Sequence, residues 1–372
     1  MLVLKSSYKH LSLYLHGDSL FVYSLATFNL YAFKEESAAL FLMLEDNIEE
    51  AEEISKENES IKLIKQILSA SDESFEEVTT LENSDAHLEV CTEQKNYIFY
   101  RLNNFVFYFD MQDRKVLKKI DTLFKHIKST PLIGESINRV AIEVDNGVYK
   151  VYINNKFTKE IDDIYQIVPI VLGLIRFMYY RQEPFLVALH AASLEYKGRV
   201  LIIPGVSGAG KSTLSVYLST RGFKLYSDEL SVITTDEMML PIPLGVGVKE
   251  SSWNLVSEFV PNIEELEVHR RYDAQRVKYA QLDSYASSKL SVKSGVIIFS
   301  KYKKNVKSKL EPIDIVETLN IIMNSQYHIY DPKDVTVVAQ WLKLLATFEM
   351  YRFEYSDLNE AEEIIKKVME HE

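Results

Sequence analysis

Apolar and polar residues alternate over 11–15 and again over 20–25, with Gly17-Asp18 between them, and this period of two predicts a β-hairpin. A third strand over 28–33 and helices over 36–45 and 48–68 are expected next; Ile61, Leu63, Ile64 and Ile67 recur at helical spacing in the second helix. The polar stretch 69–74 reads as a linker, so residues 1–85 are expected to form a small, separate α+β unit. Residues 86–184 read as strand-rich. Aromatic and β-branched residues dominate 96–102, 105–110, 140–144 and 148–153, and Asn-Asn, Asp-Asn-Gly and Asn-Asn turn signals separate them. A helix over 161–182 closes the region. It contains the longest apolar run, 167–175, which stops at Arg176 after about half the length that a bilayer span needs; the run reads as a buried helix. The third part, 185–372, is expected to carry strands over 191–196 and 199–203 around Lys197-Gly198, a helix from Lys211 to Arg221, a strand over 223–227, and closing helices over 315–324, 333–348 and 359–370.

Composition narrows the class. Hydrophobic residues make up 47% of the 372 and aromatic residues 12%, which is enough apolar surface for two or three packed cores. A formal charge of −12 opposes a broad nucleic-acid footprint but permits a local basic pocket. Neither nucleic acid nor a membrane is expected as a partner. The single cysteine, Cys91, excludes an internal disulfide framework and a cysteine zinc site, and it fits a cytoplasmic location; the first residues lack the layout of a signal peptide.

Chemistry is concentrated at Gly205-Val-Ser-Gly-Ala-Gly-Lys-Ser212, a complete G-x-x-x-x-G-K-S (Walker A) motif between a strand-like and a helix-like segment. Its glycines let backbone N–H groups curl around phosphate oxygens at a helix N-terminus. Gly205, Ser207, Gly208, Ala209, Gly210, Lys211, Ser212 and Thr213 are therefore the candidate nucleotide-binding residues, with Lys211 on the terminal phosphates and the Ser212 hydroxyl on Mg²⁺. The bland alternative is a glycine-rich turn.

Two further elements are placed by counting. If Lys197-Gly198 is a two-residue turn, Glu195 faces Val200 and His190 faces Gly205, at the mouth of the loop. The helix after the loop carries the chain roughly 16 Å away, Gly222 caps it, and a strand returns roughly as far. Asp228 and Glu229 then arrive level with the phosphates, where a carboxylate ligates Mg²⁺ or takes a proton from an attacking hydroxyl. Each has a duller reading, His190 as a hairpin closure and Asp228-Glu229 as a solvated turn. Lys249, after a Pro/Gly-rich turn, is a candidate substrate contact. So are Arg270 and Arg271, which with Arg276 and Lys278 read alternatively as the solvated face of a helix.

His190-Ala-Ala-Ser, then Gly205 to Leu214, then Arg221-Gly-Phe-Lys-Leu-Tyr-Ser-Asp228-Glu229, resembles the catalytic core of HPr kinase/phosphorylase, and most closely the HPr-kinase-related serine kinases that include lasso-peptide precursor kinases. The resemblance covers roughly residues 185–235, and the Pro-rich segment ending in Lys249 resembles the next motif of that group. It implies an α/β fold with a P-loop core of the HPr-kinase/PEP-carboxykinase type beside an N-terminal α+β region. It also implies ATP, or pyrophosphate in its place, as phosphate donor, Mg²⁺ as cofactor and a serine hydroxyl as acceptor. Carried over by motif, Lys211 and Ser212 handle phosphates and metal, Asp228 is the base and a metal ligand, Glu229 is a metal ligand, and His190 orients phosphate or base. Glu229 departs from the family's usual Asp at that position. The first 70 residues resemble the PqqD-like peptide-recognition domain through Asn29-Leu-Tyr-Ala-Phe and the following Ala38-Ala-Leu-Phe-Leu-Met, with a generic α+β cap as the alternative. A peptide or small protein is accordingly the expected acceptor rather than HPr, and a homo-oligomer is left open. Two rivals stay in play: a small-molecule kinase, and an ATP-binding regulatory module without transfer.

Overall fold

The computed structural model describes residues 1–4, 6, 10–25, 27, 29–46, 59–69, 97–132, 134–205, 209–324, 327–329 and 334–371. The expectations for 48–58, the linker 70–74, Cys91, Ser207 and Gly208 lie outside the described residues. The protein is of mixed α/β class, with several sheets and helices. Among the described residues no helix is long and apolar enough to cross a membrane.

The chain opens with a four-stranded antiparallel meander of β1 (Leu2–Leu4), β2 (Leu11–His16), β3 (Ser19–Ser24) and β4 (Asn29–Lys34), followed by α1 (Glu35–Asp46) and α2 (Glu59–Leu68). Alternation gives this sheet two apolar faces. Leu11, Leu13, Leu20, Val22 and Phe33 pack with Phe41, Ile61, Ile64 and Ile67 of the two helices. Tyr14, Phe21, Tyr23 and Leu30 share a different core with residues far along the chain, Trp341 and Leu342 among them. The meander is thus sandwiched rather than free-standing, and Tyr14 Oη donates to the Val335 carbonyl at 2.9 Å.

A six-stranded sheet follows, in the order β10-β9-β8-β6-β5-β7, from β5 (Phe99–Leu102), β6 (Phe105–Met111), β7 (Lys128–Ser129), β8 (Ile137–Asp145), β9 (Val148–Ile153) and β10 (Lys156–Ile161). The expected Asn turns are present: Asn103, Asn146, Gly147, Asn154 and Asn155 all take positive φ. Between β6 and β7 lies a helix that the sequence reading passed over, α3 (Arg114–Phe124). Asp113 caps it by accepting from the Lys115 and Val116 N–H groups at 2.9 and 3.1 Å, and Val116, Ile120, Leu123 and Phe124 form its buried stripe. The helix expected over 161–182 is shorter. Ile161 ends β10, Asp163 caps a 3₁₀ turn by accepting from the Tyr165 N–H, and α4 runs Ile167–Tyr180. Its buried residues join the aromatic face of the six-stranded sheet and Phe185, Ala188, Val232 and Ile242 in one core.

The remaining chain builds two interlocked sheets. One has the order β14-β12-β13-β21-β24-β22: β12 (Ala191–Tyr196), β13 (Arg199–Pro204), β14 (Lys224–Ser227), β21 (Val296–Tyr302), β22 (Lys309–Pro312) and β24 (Glu349–Tyr355). Within it β13, β21 and β24 run parallel, and the other pairs are antiparallel. The other sheet has the order β20-β16-β15-β11-β23, all antiparallel: β11 (Phe185–Leu189), β15 (Ser231–Thr234), β16 (Met238–Met239), β20 (Leu290–Ser291) and β23 (Tyr327–Ile329). A small sheet of β17 (Val246–Lys249), β18 (His269–Arg270) and β19 (Arg276–Ala280) flanks them. The helices are α5 (Lys211–Ser219), α6 (Trp253–Ser257), α7 (Ile315–Met323), α8 (Val335–Leu345) and α9 (Leu358–Glu370). Leu214, Leu218 and Ile365 of α5 and α9 pack with Leu201, Ile203, Ile298 and Phe353 on one face of the larger sheet. Val200, Ile202 and Ile297 on the opposite face pack with α7, α8 and the second sheet.

Candidate functional site

The site forms where two strand pairs cross from one sheet into the other. β12 and β14 pair in the larger sheet up to Ser193 opposite Ser227; β11 and β15 pair in the smaller up to Leu189 opposite Ser231. His190 and residues 228–230 are the two crossing points, so the change of sheet itself brings them together. The Ser231 hydroxyl closes the crossing by donating to the Ala191 carbonyl at 3.0 Å.

The β12–β13 hairpin has the expected register, with Glu195 opposite Val200 and Ala191 opposite Pro204. Lys197 and Gly198 both take positive φ, +51° and +84°, the pair of values a two-residue turn of this hand requires. That register sets His190 beside Gly205. Gly210 then opens α5 at φ +87°, where an added Cβ would lie 3.0 Å from Tyr355 Oη and 3.3 Å from Tyr302 Cβ. Backbone conformation and space both demand glycine there. The helix ends at Ser219, two residues before the expected Arg221, and Gly222 at φ +96° turns the chain into β14. β14 runs in the same direction as β13, with β12 between them, and it delivers Asp228 as the counting argument expected.

Lys211 is 7% exposed, and its ammonium donates to the His190 and Gly205 carbonyls, each at 3.4 Å. Burial lowers its pKa, against the opposing pull of Asp228 and Glu229, and the charges of Lys249 and Arg271 lower it further. Lys249 ends β17 within electrostatic reach of Lys211. Asp228 is 6% exposed and accepts from both serine hydroxyls of α5's first turn, Ser212 at 2.9 Å and Ser215 at 2.7 Å. Burial and the neighbouring Glu229 charge push its pKa up, and the two hydroxyls and Lys211 only partly offset them.

Glu229 turns to other partners. Its carboxylate lies 3.7 Å from His190 Nδ1 and 4.0 Å from Arg271 Nη1. Burial opposes its ionisation, but Arg176, His190, Lys211 and Arg271 together hold its pKa below the ordinary range. His190 Nδ1 lies 3.1 Å from the Glu229 carbonyl. A carbonyl only accepts, so Nδ1 carries the hydrogen. Burial and Lys211 lower the His190 pKa against the Glu229 charge, so the neutral ring is favoured.

The basic cluster divides. Residues 269–280 form a β-hairpin rather than the helix that was one expectation, and of the four cations only Arg271 reaches the carboxylates. Arg270 pairs with Asp163 at 3.2 Å over the Tyr165 ring. Arg276 pairs with Glu250 at 2.5 Å, and Lys278 donates to the Ile263 and Glu264 carbonyls at 2.9 Å each. Two site residues were missed. Ser215 was signalled only by its place three residues after Ser212 on one helix face. Arg176 was visible as the lone charge closing the longest apolar run, and it emerges from α4 beside Glu229.

As a metal site the donor set is partial. Ser212 Oγ and Asp228 Oδ2 are adjacent hard oxygens of the kind Mg²⁺ prefers. No group of three His, Cys, Asp or Glu side chains is placed to hold a metal ion by itself among the described residues, so a metal here would draw its other ligands from phosphate oxygens and water, the usual division for Mg²⁺. No protein-family model matches the chain, and no curated protein matches it.

Proposed function

We propose that this chain is an ATP- and Mg²⁺-dependent phosphotransferase with a P-loop core of the HPr-kinase/PEP-carboxykinase type, moving the γ-phosphate of ATP onto a serine hydroxyl of a peptide or small protein. The observation that carries the reading is the bond from Ser212 to Asp228. It joins the last hydroxyl of a phosphate-binding motif to a buried carboxylate just past β14, the kind of pair that holds Mg²⁺ in P-loop NTPases. The HPr-kinase resemblance supports the same assignment. In this reading the N-terminal unit serves peptide recognition, in the setting of modified-peptide biosynthesis.

Lys211, held by two carbonyls, turns to the terminal phosphate oxygens, a better partner for a buried ammonium. Ser212 and Asp228 would hold Mg²⁺ together with phosphate oxygens, and the ion would supply charge neutralisation at the transferring group. Asp228 takes the proton of the acceptor hydroxyl as the new O–P bond forms; the bond from γ-phosphorus to the β–γ bridging oxygen breaks, and ADP leaves with that oxygen. Burial raises its pKa in the metal-free site, which favours its taking a proton; Mg²⁺ on the same carboxylate would oppose that rise. His190, fixed on the Glu229 carbonyl, braces the 228–230 crossing, and Glu229 holds Arg271 at the mouth.

The test is label transfer from γ-labelled ATP·Mg²⁺ to free serine, adenylyl sulfate, HPr, serine-containing peptides encoded beside this gene and a no-acceptor control. Wild type is expected to label a peptide serine, and Lys211→Ala to label nothing. Tight ATP binding with no label on any acceptor would favour the regulatory ATP-binding module.

A further inference from the structure

Next to the carboxylate pair lies a cavity of about 330 Å³, at the small end of ligand-sized pockets (~300–1,000 Å³). Asp228 and Glu229 form one wall, Ile170 and Arg176 of α4 a second, and Arg271 and Tyr279 a third. Lys211 and Ser212 do not line it, so it adjoins the phosphate loop only through the carboxylates. In the phosphotransfer reading it is therefore on the acceptor side of Asp228.

Its charges do not balance among themselves. Lys159, Arg176 and Arg271 line it against Asp228 and Glu229, and Asp228 is already engaged by two serine hydroxyls. Glu229 is left as the one lining carboxylate that faces both guanidinium groups, and Arg271 has a second carboxylate outside the lining, Asp273, 3.7 Å from its Nε. Arg176 Nε is sealed from solvent and has no hydrogen-bond partner among the described residues. A ligand in the cavity would meet the outer nitrogens of Arg176, and would reach the sealed Nε–H only by drawing the side chain toward it. Two guanidinium groups converging on a small cavity match the planar, two-oxygen geometry of a carboxylate.

We infer that this cavity binds the acceptor and that the acceptor carries a carboxylate close to its hydroxyl, held by Arg176 and Arg271. A free hydroxy-amino acid and the C-terminal residue of a peptide both present that chemistry. The inference rests on the phosphotransfer reading and narrows it: a hydroxyl in the middle of a chain lacks the anion that the two arginines await.

The test is calorimetric, on the full chain, with four probes: free L-serine, a peptide ending in serine with a free carboxylate, the same peptide amidated, and a peptide with internal serine only. At least one carboxylate probe is expected to bind tenfold or more tightly than the amidated peptide, and comparison of the first two probes names the source. Arg176→Gln is expected to erase that preference and Arg176→Lys to restore part of it, with unchanged ATP affinity reporting an intact fold. Equal binding of acid and amide, or no binding of either carboxylate probe at millimolar concentration, overturns the inference. Should Arg176→Gln fail to fold, the acid–amide comparison in wild type decides alone. Label transfer is scored separately. Acid–amide discrimination without transfer upholds the cavity and rejects the kinase; transfer to internal serine without discrimination does the reverse.

Discussion

In the phosphotransfer reading, Asp228 is the residue on which activity and stability pull in opposite directions. Its folded-state pKa is raised above the ordinary carboxylate value of 3.8, so the native state holds a proton that the unfolded chain releases. Stability therefore declines as pH rises from that value through the raised pKa, and above it the full penalty of a buried charge remains. Asp228→Asn is expected to abolish phosphotransfer while raising Tm at neutral pH by about 2 °C or more. The gain should shrink as pH falls toward the ordinary carboxylate range, which thermal melts across pH would show. The same shifts shape activity. The acid limb of the kcat/KM profile is expected above 3.8, where Asp228 ionises, and the alkaline limb below 10.5, where buried Lys211 loses its proton. Gly210→Ala places a side chain at φ +87° against Tyr355 and is expected to cost about 1–2 kcal/mol by denaturant titration. The meeting of Asp228 with Ser212 was legible because helix and strand rise could be counted outward from the motif and back. Arg176 was not, since one charge at the end of an apolar helix reads as the end of a buried run until its neighbours are known.

Among the elements, α5 does the positioning. Ser212 and Ser215 are one turn apart on it and both point their hydroxyls at Asp228. Ser215→Ala removes a donor to the ionised carboxylate, an interaction worth about 1.5–3 kcal/mol. It is expected to shift the acid limb of the activity profile to higher pH with little change in ATP affinity, a split that a pH series and calorimetry resolve. An unchanged limb would show that Ser215 is only structural. Hairpins were the best-read elements, because Asn-Asn, Asn-Gly and Lys-Gly turns announce themselves in two residues. α3 escaped although Asp113 and the spacing of Val116, Ile120, Leu123 and Phe124 spell a capped amphipathic helix; the strands on either side biased the reading of a short segment. Sheet order was illegible, since β24 inserts between β21 and β22 through contacts that leave no local pattern.

At the scale of the whole molecule, hydrophobic cores run between the N-terminal region, the strand-rich region with its helix, and the part that carries the phosphate loop. The N-terminal meander shares a core with α7 and α8, and α4 ties the six-stranded sheet to the strands around the site. Tyr23, fully buried in the first of these cores, should behave as a core residue of the entire chain. Tyr23→Ala is expected to cost about 3–5 kcal/mol, as large aromatic truncations do. Calorimetric melting should show one cooperative transition moved to lower temperature, whereas two resolved transitions with only one displaced would contradict a continuous core. The periodicity of 11–25 gave the strands but not this docking, because both faces of the meander are apolar and the sequence does not say what covers each.

The most direct measurement is ATP·Mg²⁺ binding and γ-label transfer on the same preparations of wild type and Asp228→Asn, with the acceptor panel present. Retained binding with transfer lost in the variant is the predicted result. Transfer by Asp228→Asn at the wild-type rate would contradict the assignment of Asp228 as the base.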